Sequence, residues 1–229
     1  MTAPLPPAET FEVPVFPLPD TVLFPGTLLP LHVFEPRYRK LLSACLDGDR
    51  RMGVGLLQPG WESDYYGVPA IHPVFGIGEI VDHVPFADGT SDIVLRGAGR
   101  ARLVGYKQEK PFRIAVVQAA PESHDAQAFE DPVSFMKAAF ASGLPRGLAH
   151  VVANILGLAP QPFGRIVDVV CSTLVSEPSL RQALLETLDA EQRLWRLGSV
   201  LEERGSGGGG PMEGPVDPSF PESGDESMN

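Results

Sequence analysis

The first 34 residues combine short apolar runs with closely spaced prolines. Three of these runs have the length and composition of strands: Val13–Phe16, Thr21–Phe24 and Leu28–Phe34. Because proline cannot donate a hydrogen bond to a ladder, we predict that these strands lie at a sheet edge or bend between ladders. Pro25 and Gly26 are typical turn residues, so the second and third strands should be joined there.

The apolar positions that follow have a helical period. Pro36 suits the first position of a helix, because its missing N–H has no partner there. One apolar stripe then comprises Tyr38, Leu41, Leu42 and Cys45. The pattern predicts a helix that begins at Pro36 and ends at Gly48 in a left-handed cap.

Strand patterns return after this helix. The candidates are Met52–Leu57, Val74–Val84, Ser91–Leu95, Ala101–Tyr106 and Phe112–Gln118. Asp88 and Gly89 predict a hairpin turn between two of them. The last candidate alternates, with Phe112, Ile114 and Val116 on one side and Arg113 and Ala115 on the other. Many short strands around a single helix predict an α+β fold built on a small closed β-barrel.

After Asp131 the period is helical again, and we predict about five short helices in a bundle. Asp189 is the expected N-cap of the last helix. The final residues are rich in Gly, Pro, Ser and acidic side chains, a composition typical of disorder. The predicted divisions are a flexible N-terminus at 1–10, the barrel at 11–120, the helical bundle at 121–204 and a disordered acidic tail at 205–229.

Charge and composition narrow the classes of function. The net charge of −11 at pH 7 disfavours a nucleic-acid partner, because phosphate binding is driven by clustered Lys and Arg. No apolar run reaches the roughly 18–20 residues of a membrane span, and the start does not resemble a secretory signal. We therefore predict a cytoplasmic protein without membrane association. Cys45 and Cys171 lie in apolar helical patterns, which predicts free buried thiols.

The sequence lacks the common catalytic motifs. It contains no phosphate loop, no Gly-x-Ser-x-Gly turn, no His-Glu-x-x-His and no Cys-x-x-Cys. A strand-like pattern follows Gly97-Ala98-Gly99, which favours a strand connection over a dinucleotide site. The histidines His32, His72 and His83 lack the spacing of a metal-ligand pair. We predict that the chain is not an enzyme and needs no cofactor or metal.

Two groups of side chains are candidates for partner binding: Glu35, Arg37, Arg39, Trp61, Tyr65 and Tyr66. The charged group lies at the start of the predicted helix, where cations oppose the helix dipole. Either a carboxylate such as Glu35 neutralises Arg37, or this helix start meets an acidic partner. The aromatic group lies in a polar loop, where it either contacts a bound peptide or covers the core.

The segment FPLPDTVLFPGTLLPLHVFEPRYRKLL, residues 16–42, resembles the start of the Lon protease N-terminal domain family. The run FPG followed by PLHVFEPRY carries most of the likeness, which continues through Gly97–Arg100 and Phe112–Val117. The segment SLRQALLETLDAEQRLWRLGSVLEE is similar to the helices that follow in that family. The resemblance covers roughly residues 11–203. Two departures are Ala101, where the family often has an aromatic residue, and the glycine-rich run Val74–Glu79.

The resemblance implies a PUA-like β-barrel joined to a helical bundle that binds unfolded or tagged protein segments. It also implies a stand-alone member without the ATPase and Ser-Lys peptidase domains of Lon. We expect a non-catalytic peptide-binding module, acting as an adaptor or client binder in protein quality control beside a separate ATP-dependent protease. The alternatives are an RNA-binding PUA-like protein and an uncharacterised hydrolase that uses Glu62 or Asp64 with a histidine.

Overall fold

A computed structural model describes residues 9–64, 67–123 and 163–206. The predicted helical region from Asp131 to residue 162, the candidates Tyr65 and Tyr66, and nearly all of the acidic tail lie outside the described residues. In the part of the chain that the structure describes, no helix is both long enough and apolar enough to cross a membrane.

Six strands and four α-helices make up the described chain. The strands are β1 Thr10–Leu18, β2 Leu28–Val33, β3 Arg51–Leu56, β4 Val74–Pro85, β5 Ser91–Gln108 and β6 Arg113–Ala119. The helices are α1 Pro36–Asp47, α2 Phe163–Leu174, α3 Pro178–Glu186 and α4 Ala190–Ser206. A short 3-10 turn spans Trp61–Asp64.

The strands form one mixed sheet in the order β2-β5-β4-β3-β1-β6, and β6 also pairs with β5. The pair β1–β3 is parallel and the other pairs are antiparallel. The first half of β5 pairs with β2 and only its second half pairs with β6. Because β2 has no second partner among the described strands, the sheet keeps an open edge there, and the predicted closed barrel is wrong.

The prolines of β1 do not break it, contrary to the prediction of a short bent strand. β1 pairs with β6 up to Val15 and with β3 from Val15 onward. Pro14 therefore lies in the ladder to β6 alone, and Pro17 in the ladder to β3 alone. Each missing N–H affects one ladder, so the strand runs on to Leu18.

The predicted strand Thr21–Phe24 is instead part of a crossing segment, residues 21–26, that lies over β4 and β5. A Cβ added to Gly76 would collide with the carbonyl of Leu23, and one added to Gly97 with the carbonyl of Phe24. The N–H of Gly26 donates to the carbonyl of Gly97 at 2.8 Å. Glycine in the sheet thus makes room for a second layer of backbone, which explains the glycine-rich β4.

The predicted helix α1 begins at Pro36, and its apolar stripe is buried as expected. Its end differs from the prediction. Gly48 has φ −102° and is not left-handed, whereas Arg50 has φ +60°. The N–H groups of both residues donate to the carbonyl of Cys45, so the left-handed residue comes two positions later than predicted.

Helices α2, α3 and α4 pack on the crossing segment and β3 through one apolar cluster that includes Val22, Phe24 and Leu56. A second cluster lies between α1 and the sheet, and a third is enclosed by β1, β4, β5 and β6. Cys45 and Cys171 are free and buried, as predicted. Burial raises the pKa of the Cys45 thiol to about 12 and also raises that of Cys171.

A buried ion network joins the sheet to the helices. It comprises Arg100 of β5, Glu122 after β6, Asp168 of α2 and Arg193 of α4. Arg100 contacts Asp168 and donates from Nε to the carbonyl of Leu185 at 2.9 Å. Arg193 contacts Glu122 and donates to the carbonyl of Thr187 at 3.0 Å. Burial raises the pKa of Asp168 to about 6, although Arg100 acts in the opposite direction.

Candidate functional site

An apolar groove of about 400 Å³ lies where the end of β1, the strand β2 and the start of α1 meet. Its lining is Phe16, Pro17, Leu18, Pro19, Leu31, His32, Phe34, Glu35, Tyr38 and Trp61. Phe16 and Tyr38 form its floor, with ring centroids 4.4 Å apart. The groove can therefore bury an apolar side chain, and Glu35 and His32 bring a carboxylate and an imidazole to its wall.

An aromatic ridge, made of Phe34, His32 and Phe86, extends from the edge of this groove. Phe34 is 60% exposed, and its ring stacks on that of His32 with centroids 6.0 Å apart. The ring of Phe86 is tilted against that of His32, with centroids 6.2 Å apart. Asp92 holds the imidazole in place, because its Oδ1 lies 2.6 Å from His32 Nδ1. The ridge leaves two large apolar rings facing solvent beside the groove.

A polar groove of about 200 Å³ adjoins the apolar groove, and the two share Pro17 and Tyr38. Its charged lining residues are Arg37, Glu109, Lys110 and Arg113. Leu57, Pro69, Pro111 and Phe112 supply the apolar remainder. Cations therefore outnumber anions at this place in a chain that is strongly acidic as a whole.

Arg113 belongs to the buried face of β6, together with Ala115 and Val117. The alternation of this strand was predicted correctly, but the bulky residues Ile114 and Val116 are on its half-buried face. The guanidinium of Arg113 lies 5.9 Å from the centre of the Tyr106 ring. Burial raises the pKa of Tyr106, while the charge of Arg113 opposes that rise.

The structure separates the charged residues that the sequence grouped at the start of α1. Arg37 donates from Nε to Glu35 Oε2 at 3.0 Å, as in the first of the two alternatives considered for this helix start, and its guanidinium lies 4.6 Å from the centre of the Tyr38 ring. Arg39 instead packs against Gly89 in the β4–β5 turn. Its charge lowers the pKa of Asp88 as a minor contribution beside hydrogen bonds from Thr90. Arg39 therefore lines neither groove.

Of the three predicted aromatic residues, the structure describes one. Trp61 lines the apolar groove and also packs against the cluster inside the sheet, whereas Tyr65 and Tyr66 lie outside the described residues. Phe34, Lys110 and Arg113 were not among the predicted site residues. The signal for Phe34 was an aromatic residue at the end of an edge strand, and that for Arg113 was a charge facing the same side as Ala115.

The acidic residues of the hydrolase alternative are not joined by a histidine in the described chain. Asp64 accepts a hydrogen bond from the Val68 N–H at 3.2 Å. His72 lies against Glu186, with 3.1 Å between Nδ1 and Oε1, and His32 pairs with Asp92. No cluster of three or more His, Cys, Asp or Glu that could hold a metal ion occurs among the residues described.

Solved structures share this fold. One is described as the crystal structure of a Lon N-terminal domain protein from Xanthomonas campestris, with a TM-score of 0.57 and 24% identity; it covers 82% of this chain and 98% of that one. Another is the N-terminal domain of Mycobacterium avium complex Lon protease, with a TM-score of 0.61 and 20% identity, covering 84% and 98%. At these identities the likeness supports the fold alone.

Sequence relatives include proteins named Lon proteases. Lon protease 2 of Herpetosiphon aurantiacus is 29% identical over 199 residues, which are 86% of this chain and 24% of that protein. The Lon protease of Roseiflexus castenholzii is 30% identical over 216 residues, with 88% and 26% covered. The chain thus spans about a quarter of the length of these curated relatives. The model of the ATP-dependent protease La (LON) substrate-binding domain matches residues 12–203, so the chain belongs to that family.

Proposed function

We propose that this chain binds unfolded or tagged protein segments and that the apolar groove with its aromatic ridge is where they bind. The observation that carries the proposal is the open apolar groove beside exposed Phe34. Apolar clefts edged by a few polar groups are the usual form of a ligand site. Membership of a substrate-binding family supports a protein as the ligand.

The shape of the groove favours side-chain recognition over addition of a strand. The open edge of β2 is interrupted by Pro30, which offers no N–H to an incoming strand. A bound segment would therefore gain most from burying apolar side chains between Phe16, Tyr38 and Trp61. Segments of this kind are buried in folded proteins and become accessible when the proteins unfold.

The substitution Phe34→Asp tests this site. It places a charge at the exposed edge of the groove, so we expect the affinity for a permanently unfolded protein to fall about ten-fold or more. Fluorescence anisotropy with a labelled, reduced and carboxymethylated protein measures the dissociation constant.

Leu28→Asp is the matched control, because Leu28 is 64% exposed at the other end of β2, the strand that Phe34 follows, and lines neither groove. This variant should bind like the unchanged chain. Equal binding by both variants would place the site elsewhere. A salt-sensitive complex with single-stranded RNA, and none with unfolded protein, would favour the RNA-binding alternative instead.

We further propose that the chain acts by binding alone, in the cytoplasm, as an adaptor or a client binder. A photocrosslinker at position 34 distinguishes these two roles in cells. Capture of a separate ATP-dependent protease supports the adaptor role, whereas capture of many unrelated proteins supports the client-binding role. The divisions at 1–10, 11–120, 121–204 and 205–229 remain our proposal for the organisation of the chain.

A further inference from the structure

The polar groove contains a cation whose hydrogen bonds are incomplete. Arg113 is only 5% exposed, and its Nη1 is buried without a hydrogen-bond partner among the residues that the structure describes. A buried N–H of a charged group costs free energy when no acceptor replaces water. Arg113 also lines the groove, so an acceptor that enters the groove comes close to this guanidinium.

The neighbours of Arg113 favour an anion as this acceptor. Arg37 and Lys110 line the same groove, where the opposing lining charge is Glu109. Glu35 neutralises Arg37 from outside, which leaves Lys110 and Arg113 as the cations that outweigh Glu109. Arg37 and Tyr38 belong to the first turn of α1, so the positive end of the helix dipole adds to this field.

The polar groove and the apolar groove are neighbours. Pro17 and Tyr38 line both, so an extended chain that passes these two residues can reach both grooves. A volume of about 200 Å³ is small for a ligand site and suits a terminal group better than an internal loop of a peptide. Guanidinium groups bind carboxylates with matched planar geometry.

We propose that the polar groove binds the free carboxyl terminus of a client segment whose preceding apolar residues lie in the apolar groove. This inference rests on the proposed function and gives it a direction: the client enters with its C-terminal end beside Arg113. Capture of a terminal carboxylate is a recurring mode of peptide recognition. A carboxylate site in the polar groove would make the protein prefer the C-terminal ends of chains over internal apolar segments.

Two forms of one short apolar peptide test the proposal with the full chain. They carry a fluorophore at the N-terminus and differ only in a free or an amidated C-terminus. We expect the free acid to bind about ten-fold more tightly, because the amide carries no charge for Arg113 and Lys110. Arg113→Gln should remove this difference, and Lys110→Gln, which changes an exposed side chain, should reduce it.

Arg181→Gln is the matched control. Arg181 of α3 also has a buried Nε without a partner among the described residues, but it lines neither groove. This variant should keep the preference for the free acid. Circular dichroism identifies any variant that fails to fold. If Arg113→Gln does not fold, the proposal is tested with Lys110→Gln.

The outcomes separate this inference from the proposed function. Equal affinity for acid and amide in the unchanged chain overturns the carboxylate site and leaves the apolar groove intact. Absence of binding by both peptides overturns the proposed function and this inference with it. An amidated peptide with an internal glutamate that binds as tightly as the free acid shows that any carboxylate suffices, which overturns the preference for chain ends.

Discussion

Two regions of this molecule bury arginine, and they differ in how the charge is satisfied. In the ion network between sheet and helices, Arg100 and Arg193 contact Asp168 and Glu122 and also donate to backbone carbonyls. In the polar groove, Arg113 has the Tyr106 ring beside it and one buried nitrogen without an acceptor. In the ion network, the charges are balanced by other protein groups. In the polar groove, Arg113 can still accept a ligand as a partner.

The difference indicates what each arginine does. A buried charge that is fully paired fixes the relative position of the elements that supply its partners, here β5, α2, α3 and α4. A buried charge that is incompletely paired costs stability, so we expect it to serve binding. Arg193 Nε also lacks a well-aligned hydrogen bond, but it lies 3.2 Å from Asp168 Oδ1 and so remains ion-paired.

The largest effect should come from Arg193→Ala. Arg193 is fully buried, and its removal leaves Asp168, Glu122 and the Thr187 carbonyl without their shared cation. Breaking a buried pair in this way costs about 3–5 kcal/mol, which urea denaturation measures as a loss in the free energy of unfolding. Arg196→Ala is the control on the same helix, because Arg196 is exposed and should cost less than about 1 kcal/mol. Similar losses from both would contradict a structural role for the network.

A smaller effect should appear as coupling between Arg100 and Asp168. Arg100→Met leaves Asp168 with Arg193 as its remaining cation, and Asp168→Leu leaves the Arg100 guanidinium with the Leu185 carbonyl, so each single change is destabilising. The double variant removes both charges. Its loss in the free energy of unfolding should be smaller than the sum of the two single losses by about 0.5–3 kcal/mol. Additive losses in the double-mutant cycle would mean that the two side chains stabilise the fold independently.

The same carboxyl group predicts a pH dependence. The folded-state pKa of Asp168, about 6, is above its ordinary value of 3.8, so the folded chain holds a proton that the unfolded chain releases. The contribution of this group to the free energy of unfolding is therefore fully present below pH 3.8 and is lost as the pH rises through about 6. Asp168→Asn should lack this loss, as urea denaturation of both chains at pH 4.5 and pH 7 would show. If the free energy of unfolding changed with pH by the same amount in the unchanged chain and in Asp168→Asn, Asp168 would not be the group responsible.

The smallest change in stability should come from Arg113→Gln. One buried nitrogen of Arg113 lacks an acceptor and offsets what the contact with Tyr106 contributes, so we expect the free energy of unfolding to change by no more than about 1 kcal/mol. Thermal and urea denaturation would measure this change, with Arg193→Ala measured in parallel for comparison. A loss as large as that of Arg193→Ala would make Arg113 a structural residue and remove the contrast between the two regions.

Local features were predictable from the sequence. Three of them depend on residues within a few positions: the start of α1 at Pro36, the hairpin turn at Gly89 and the N-cap at Asp189. Gly89 has φ +82°, and Asp189 accepts a hydrogen bond from the Gln192 N–H at 2.8 Å. The resemblance in the first 42 residues also led to the correct family.

Features that depend on distant partners were not predictable. The continuity of β1 depends on a change of partner at Val15, and the course of the crossing segment depends on Gly76 and Gly97. The burial of Arg113 depends on which face of β6 turns toward the inner cluster. Periodicity gives the alternation of a strand but not which of its faces is buried, because the neighbouring strands decide that.

The crossing segment has a consequence for the order in which the chain folds during synthesis. Leu23 and Phe24 leave the ribosome well before Gly76 and Gly97, the residues that provide the surface on which they lie. Because synthesis adds only about 5–20 residues per second, these apolar side chains stay without their native cover for seconds. We expect the nascent N-terminal segment to be a chaperone-binding sequence until β5 is complete.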